Sequence, residues 1–378
     1  MQKQLREQNE DLLREIEGIT QAVGAVSIPD ELEPYRKWLR NWAANLRNQV
    51  ERNLMNLARS QVDILTEVLD QTSVVVREVY VLNDRYLGPL LRARETDRLS
   101  LRLLNWMHQE HARTSALPVA LVDGSFGSWP VDSWPTLYLV PPGGQQRLLH
   151  LPLCFHEFGH LLYACHQSEM DDLVRDLQQS IARRLEPVAR RNDAQAQREQ
   201  QRRKLIVERW YDWAQEFFCD AVGLLMGGPS FALSFSFYFR TIGQDAYQRS
   251  FADQIRSSHP VTWLRICMLA DRARKIGFNE VADQIEDDWE SVARMMRIQE
   301  DYFGCYDKTF LPDLRRTTDN MLTEANPRPA TDDEVNYTGP ITESLPPPAV
   351  FNLAWRMLEG DSSGYVHWEA QAVSGWMS

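Results

Sequence analysis

The chain has 378 residues, 43% hydrophobic and 25% charged, with 53 Asp and Glu against 41 Lys and Arg for a net charge of −12. That balance suits a globular chain of one large or two modest domains and argues against a charge-driven grip on nucleic acid. The cysteines, five and so odd in number, fit reduced buried thiols rather than a disulfide framework, and Met1 to Glu7 lacks the apolar stretch of a signal peptide, so the sequence reads as cytoplasmic.

Residues 1–112 read as a helical arm or bundle. Leu5, Leu12, Leu13, Ile16 and Ile19 mark a narrow apolar strip on a charged helix that residues 27–30 end. Such a strip needs a partner helix, which makes this helix a candidate interaction or oligomerisation element. Longer helices are expected over about 31–68 and 73–110, punctuated at Asn83-Asp84 and Gly88-Pro89. Arg92, Arg94, Arg98 and Arg102 form a basic edge, read as a solvated face. Residues 117–124 and 136–142 then read as two short strands, with Trp129-Pro130 and Trp134-Pro135 between them.

His156-Glu157-Phe158-Gly159-His160 is the run with the most chemistry in it. Residues four apart share a helix face, so His156 and His160 would turn their imidazoles to one zinc ion, with Glu157 beside it as a general base. The flanks, 148–155 and 161–165, are apolar apart from His150. Polar groups there are costly unless something binds them, whether a metal or, in the plainer reading, hydrogen bonds within a core helix. Catalytic zinc usually takes three protein ligands and leaves a fourth position for water, so a third ligand must lie elsewhere.

Residues 168–204, rich in Gln, Arg, Asp and Glu, read as an inserted helical hairpin that projects from the domain, with 190–200 its candidate disordered part. It could gate access or offer a docking surface. The next helix, 208–223, carries Glu216 and Asp220 on one face among Phe217, Phe218 and Cys219. Glu216 is the best candidate third ligand, and Asp220 could accept the outer N–H of a ligating histidine. Glu208 and Asp212 are rival carboxylates, and an ordinary helix with a solvated acidic side is the plain alternative. Cys154 and Cys219 read as small core residues rather than ligands.

Residues 221–239 hold 19 uncharged residues, but Gly227-Gly228-Pro229 breaks them. They read as a helix end, a turn and a second core helix rather than a membrane hairpin. In Ser257-Ser258-His259-Pro260 the proline suits the first turn of a helix, with Arg265 in its second turn. In a zinc peptidase, His259 and Arg265 could donate hydrogen bonds to the oxyanion of a tetrahedral intermediate; a capped helix with a surface histidine is the alternative.

These motifs, in this order, resemble those of the gluzincin metallopeptidases of the HtpX and CaaX-prenyl-protease type, over roughly residues 137–266. The resemblance implies a zincin-like domain; with the helical arm read above, the expected fold class is mainly α with a small β element. It implies Zn2+ held by His156, His160 and Glu216, Glu157 as the base, Asp220 behind a ligand, and His259 and Arg265 in contact with substrate or transition state. Zincin sites commonly set an antiparallel strand beside the zinc helix, and a peptide can add to its edge. Leu137, Tyr138, Leu139 and Val140 are the candidate edge here, ended by Pro141-Pro142. Two departures stand out: Cys219 is at a position where the family often has alanine, and the family's transmembrane helices are not evident.

Helices are expected again at 269–275, 280–300 and 314–324, followed by a proline-rich loop or linker at 326–348. The tail, with Trp355, Trp368 and Trp376, is too aromatic to be free and could fold back over the cleft. The expected organisation is an arm (1–112), a catalytic domain (113–275) with its insertion (168–204), and a helical extension (276–378). The expected function is a zinc-dependent endopeptidase acting on a protein or peptide substrate, with regulation in a bacterial stress or defence system as the expected setting and no nucleic-acid or membrane partner. The competing reading is a catalytically silent interaction protein that keeps a structural zinc site and works through its arm.

Overall fold

A computed structural model describes residues 1–59, 62–185, 194–298 and 301–377. Leu12, Ile16, Ile19 and Val23 recur at helical spacing on α1 (Gln2–Ala25) and are buried where it packs on α2 (Glu33–Leu57) and α3 (Val62–Val81). Inside this bundle Asn9 Nδ2 donates to Thr72 Oγ1 (2.9 Å) and Asn53 Nδ2 donates to Asn9 Oδ1 (3.2 Å). A buried polar contact shared by three helices fixes their register. The apolar strip of α1 is therefore covered by its own chain, which corrects the expectation of an open face awaiting a partner helix.

The break between the longer helices also lies elsewhere than expected. The helix α2 ends at Leu57, while α3 runs unbroken through Val68 and Ser73, continuing into a wide π turn at Leu82–Leu87. Short α4 (Gly88–Leu91) and α5 (Arg98–Gln109) follow. Two arginines of the basic edge tie elements together instead of facing water. Arg92 Nε donates to Leu121 O (2.9 Å), and Arg102 Nη1 to Trp376 O (2.7 Å).

Three strands follow: β1 (Val119–Asp123), β2 (Gly127–Trp129) and β3 (Thr136–Val140), in the order β1-β3-β2. The central strand β3 runs parallel to β1, Val119 opposite Thr136, and antiparallel to β2, Gly127 opposite Leu139. Both sides of Leu137, Tyr138 and Leu139 are thus paired, so 137–140 is not a free edge. The edges are β1 and β2, and β2, which the sequence reading passed over, is the one that packs beside the helix of His156 and His160. Trp134, between β2 and β3, closes a cluster with Trp38, Trp42 and Tyr86 in which its ring centroids lie 5.0–5.7 Å from theirs, and this anchors the sheet to the bundle.

The helices that carry the site are α6 (Cys154–Cys165) and α8 (Ala194–Gly227), with α7 (Gln167–Arg184) between them. The crossing of α6 and α8 is tight because Gly159 has no side chain: a Cβ there would lie 2.8 Å from Cys219 Cα. The insertion is a hairpin of α7 and the first turns of α8, but it lies against the body. Arg184 Nε donates to Asp313 Oδ2 (2.7 Å) on a later helix, and Gln178 Nε2 donates to Val207 O (2.8 Å). Of the candidate disordered stretch, 190–193 lie outside the described residues and 194–200 are helical.

Gly228, at φ +62°, turns the chain from α8 into α9 (Pro229–Phe239). This matches the reading of 221–239, and no helix among the described residues is long and apolar enough to cross a membrane. Short α10 (Phe251–Arg256) leads to α11 (Thr262–Lys275), whose N-cap is Val261. His259 and Pro260 therefore precede the helix, and Arg265 lies in its first turn rather than its second.

The rest of the chain is α12 (Asn279–Met296), α13 (Leu311–Ala325), α14 (Asp332–Val335), α15 (Pro347–Gly360) and α16 (Tyr365–Met377). The proline-rich stretch is a fixed strap, with Ala330 N–H bonded to Leu225 O (2.8 Å) and Pro347 and Pro348 buried. Trp355 Nε1 donates to Ser234 Oγ (3.0 Å), and Trp376 Nε1 donates to Leu345 O (2.9 Å). The tail packs back as expected, but against α9 and α5, and contributes nothing to the cleft described below.

Candidate metal centre

Four elements meet over Glu216. From α6, His156 and His160 face it with their ring centroids 4.9 Å apart. His156 Nδ1 lies 2.9 Å from Asp220 Oδ1, one turn along α8, so this nitrogen carries a proton and Nε2 is the atom turned to Glu216. His156 Nε2 lies 3.4 Å from Glu216 Oε2, and His160 Nε2 lies 3.6 Å from Glu216 Oε1. A third imidazole arrives from the turn before α11, with His259 Nε2 3.4 Å from Glu216 Oε1. His259 is about half exposed, and its Nδ1 is held 2.9 Å from Ser258 Oγ.

Beneath them Arg265 binds the carboxylates as a pair. Its Nε donates to Asp220 Oδ2 (2.8 Å) and its Nη2 to Asp220 Oδ1 (2.6 Å), while Nη1 lies 3.2 Å from Glu216 Oε2. Its guanidinium also stacks over Phe235, 4.7 Å from the ring centroid. Both carboxylates are buried, which by itself would raise them, but Arg265 and His156 together, with His160 adding at Glu216, outweigh burial and hold them below the usual carboxylate range.

The two motif histidines titrate in opposite directions. Burial would lower His156, but hydrogen bonds to Asp220 and Glu216 overcome it and push the imidazole up to about 10. His160 lacks the Asp220 bond, so burial prevails over Glu216 and lowers it to about 4. Glu157 is raised by burial, with Glu216 adding to the effect against His156 and Ser128.

His156, His160 and Cys219 bring potential ligand atoms within 4.8 Å of one another, a buried group able to hold a metal ion. Cys219 approaches His160 through Nδ1 (3.4 Å), the nitrogen turned away from Glu216. Burial, then Glu216 and Asp220, push its thiol well above the usual range. The rival carboxylates are elsewhere: Glu208 pairs with Lys204 (3.6 Å), and Asp212 pairs with Arg209.

A cleft of about 310 Å³ opens onto this group, lined by His156, Glu157, His259 and Arg265 together with Phe126, Phe235, Tyr238 and Phe239. None of Leu137, Tyr138, Leu139 and Val140 lines it; Tyr138 is a core residue whose hydroxyl lies 2.9 Å from His108 Nε2. The residue that sequence reasoning missed is Ser128 on β2, whose hydroxyl lies 3.1 Å from Glu157 Oε2. The aromatic wall was missed too, although Phe231, Phe235 and Phe239 at four-residue spacing gave a signal for one face of α9.

Compared with known proteins, the chain matches no family model, no curated protein and no solved structure.

Proposed function

We propose that the chain is a zinc peptidase of the gluzincin kind, with His156, His160 and Glu216 as metal ligands and Glu157 as general base. The observation that carries this reading is the spacing around Glu216. Zinc–ligand bonds of about 2.0–2.1 Å put tetrahedral ligand atoms roughly 3.4 Å apart, and the Glu216 oxygens lie 3.4 and 3.6 Å from the two Nε2 atoms. The donor set fits in a second way, because Glu216 Oε2 is buried and accepts no well-formed hydrogen bond among the described residues, its ion pair with Arg265 Nη1 at 3.2 Å being its nearest cationic contact. A cation there would replace the proton that the carboxylates otherwise hold on His156.

When bound, zinc would polarise a scissile carbonyl and acidify water. Glu157, raised by burial and bonded by Ser128, takes the proton of the attacking water and returns it to the leaving amine. His259, half exposed on the cleft wall, donates to the oxyanion. Arg265 does not share that task. Its donors are engaged with Asp220 and Glu216, so it is a positioning residue that holds both carboxylates in place. The β2 edge, Gly127–Trp129, replaces 137–140 as the strand beside which a substrate backbone would lie.

The test compares the wild type with Glu157→Gln for metal content and peptide hydrolysis. Equal metal with hydrolysis only in the wild type is expected; equal metal with no hydrolysis in either would sink the peptidase reading. The grouping of Cys219 with the histidines favours a second reading, a closed structural site with a thiolate ligand. Cobalt substitution separates the two, since a thiolate ligand adds a sulfur-to-cobalt charge-transfer band and the His156–His160–Glu216 set adds none.

A further inference from the structure

Beyond the metal group the cleft lining is of two chemical kinds. One is apolar and aromatic, with Phe126 and Tyr238 in edge contact at 5.3 Å and Phe239 beside them. The other holds Arg249, a half-buried guanidinium. Arg249 is fixed rather than loose. Gln254 Nε2 donates to its carbonyl (3.0 Å), while its Nη1 donates to Ser257 Oγ (2.9 Å) and to His259 O (3.2 Å).

Of the charged groups that line the cleft, Arg265 is neutralised by two carboxylates and Glu157 is bonded by Ser128. Arg249 forms no ion pair among the described residues. Its desolvation is offset only in part by Asp245 and Asp253, with Arg265 acting against them. A partly buried cation with no carboxylate in ion-pair contact among the described residues, and only partial compensation from Asp245 and Asp253, favours an anionic ligand. A cleft of about 310 Å³ is at the small end of ligand clefts, with room for one or two side chains.

We infer that the cleft selects a peptide in which a large apolar side chain lies next to a carboxylate, with Arg249 as the residue that reads the carboxylate. The inference rests on the peptidase reading, since it takes the occupant of the cleft to be a peptide. The carboxylate is either an acidic side chain or a free C-terminus.

The test uses metal-loaded Glu157→Gln protein, which holds a peptide without cutting it, and dye-labelled six-residue peptides with a central phenylalanine. One pair differs as Glu against Gln beside the phenylalanine, the other as C-terminal acid against amide. Affinity is read by fluorescence anisotropy. A carboxylate paired with Arg249 should tighten binding about ten- to a hundredfold within at least one pair, and the pair that responds names the source. Arg249→Gln should abolish the difference and Arg249→Lys should keep most of it. The amide and Gln peptides control for any shift of His259 in these variants. Equal affinity within both pairs, or a preference that survives in folded Arg249→Gln, overturns the inference. Failure of the wild type to cut any peptide while these preferences hold would strike the peptidase reading instead.

Discussion

Asp220 accepts two parallel hydrogen bonds from Arg265, at 2.6 and 2.8 Å, and both side chains are buried. The pair joins α8 to α11, and through Asp220 it fixes the tautomer of His156. Removing Arg265 leaves two buried carboxylates with only the His156 imidazolium beside them as counter-charge. Arg265→Met should therefore destabilise the metal-free protein by about 3–5 kcal/mol, and added zinc should restore part of that loss. Thermal unfolding with and without zinc reads both effects. A variant as stable as the wild type would mean that Arg265 does not hold the carboxylates.

Asp220→Asn keeps the shape of the side chain but weakens its grip on His156 Nδ1 and on Arg265. Zinc affinity should fall about ten- to a hundredfold. Competition against a chelating dye measures it, and unchanged affinity would remove Asp220 from the account.

Much of this site was legible in the sequence because its polar residues stand at helical spacing among apolar ones. His156, His160, Glu216 and Asp220 could be assigned to facing helix surfaces from that pattern alone. The direction of Arg265 could not, since a charge in sequence does not say whether it faces a cleft or a buried carboxylate. The strand β2 was invisible for a different reason. Three residues, Gly127, Ser128 and Trp129, are too few to show alternation, and glycine weakens any strand signal. The break after Leu57 carries no glycine or proline, whereas Gly88-Pro89, the conspicuous punctuation, opens a short helix that proline tolerates in its first turn.

Gly159 sets the distance between α6 and α8, the two helices that carry the candidate metal ligands. In Gly159→Ala the new Cβ meets Cys219 Cα, backbone that no rotamer change can move aside. The variant should lose about 1–3 kcal/mol of stability, and its zinc affinity should fall as α6 and α8 separate. Combining it with Cys219→Ala should not restore either property, because the clash is with Cα. Calorimetry and zinc titration of the single and double variants check this, and full rescue would refute it.

His108 gives the fold a pH dependence separate from the metal group. It is buried, with Nδ1 donating to Leu117 O (3.0 Å) and Nε2 facing Tyr138 Oη (2.9 Å), and burial lowers it to about 4 despite the bond to Leu117. In the unfolded chain a histidine titrates near pH 6.5. Between these values the unfolded chain binds a proton that the folded one does not, so stability is complete above about pH 6.5 and falls as pH drops toward 4. The loss amounts to about 3 kcal/mol. Chemical denaturation across this window should show one proton less of linkage in His108→Phe than in the wild type, and identical slopes would contradict the assignment.

The most direct test of the ligand shell is the zinc-to-protein ratio of the wild type, Glu216→Ala and Cys219→Ala, each loaded with zinc and dialysed. The account predicts one zinc per chain in the wild type and in Cys219→Ala, and loss of zinc from Glu216→Ala. Zinc retained by Glu216→Ala and lost by Cys219→Ala would contradict it.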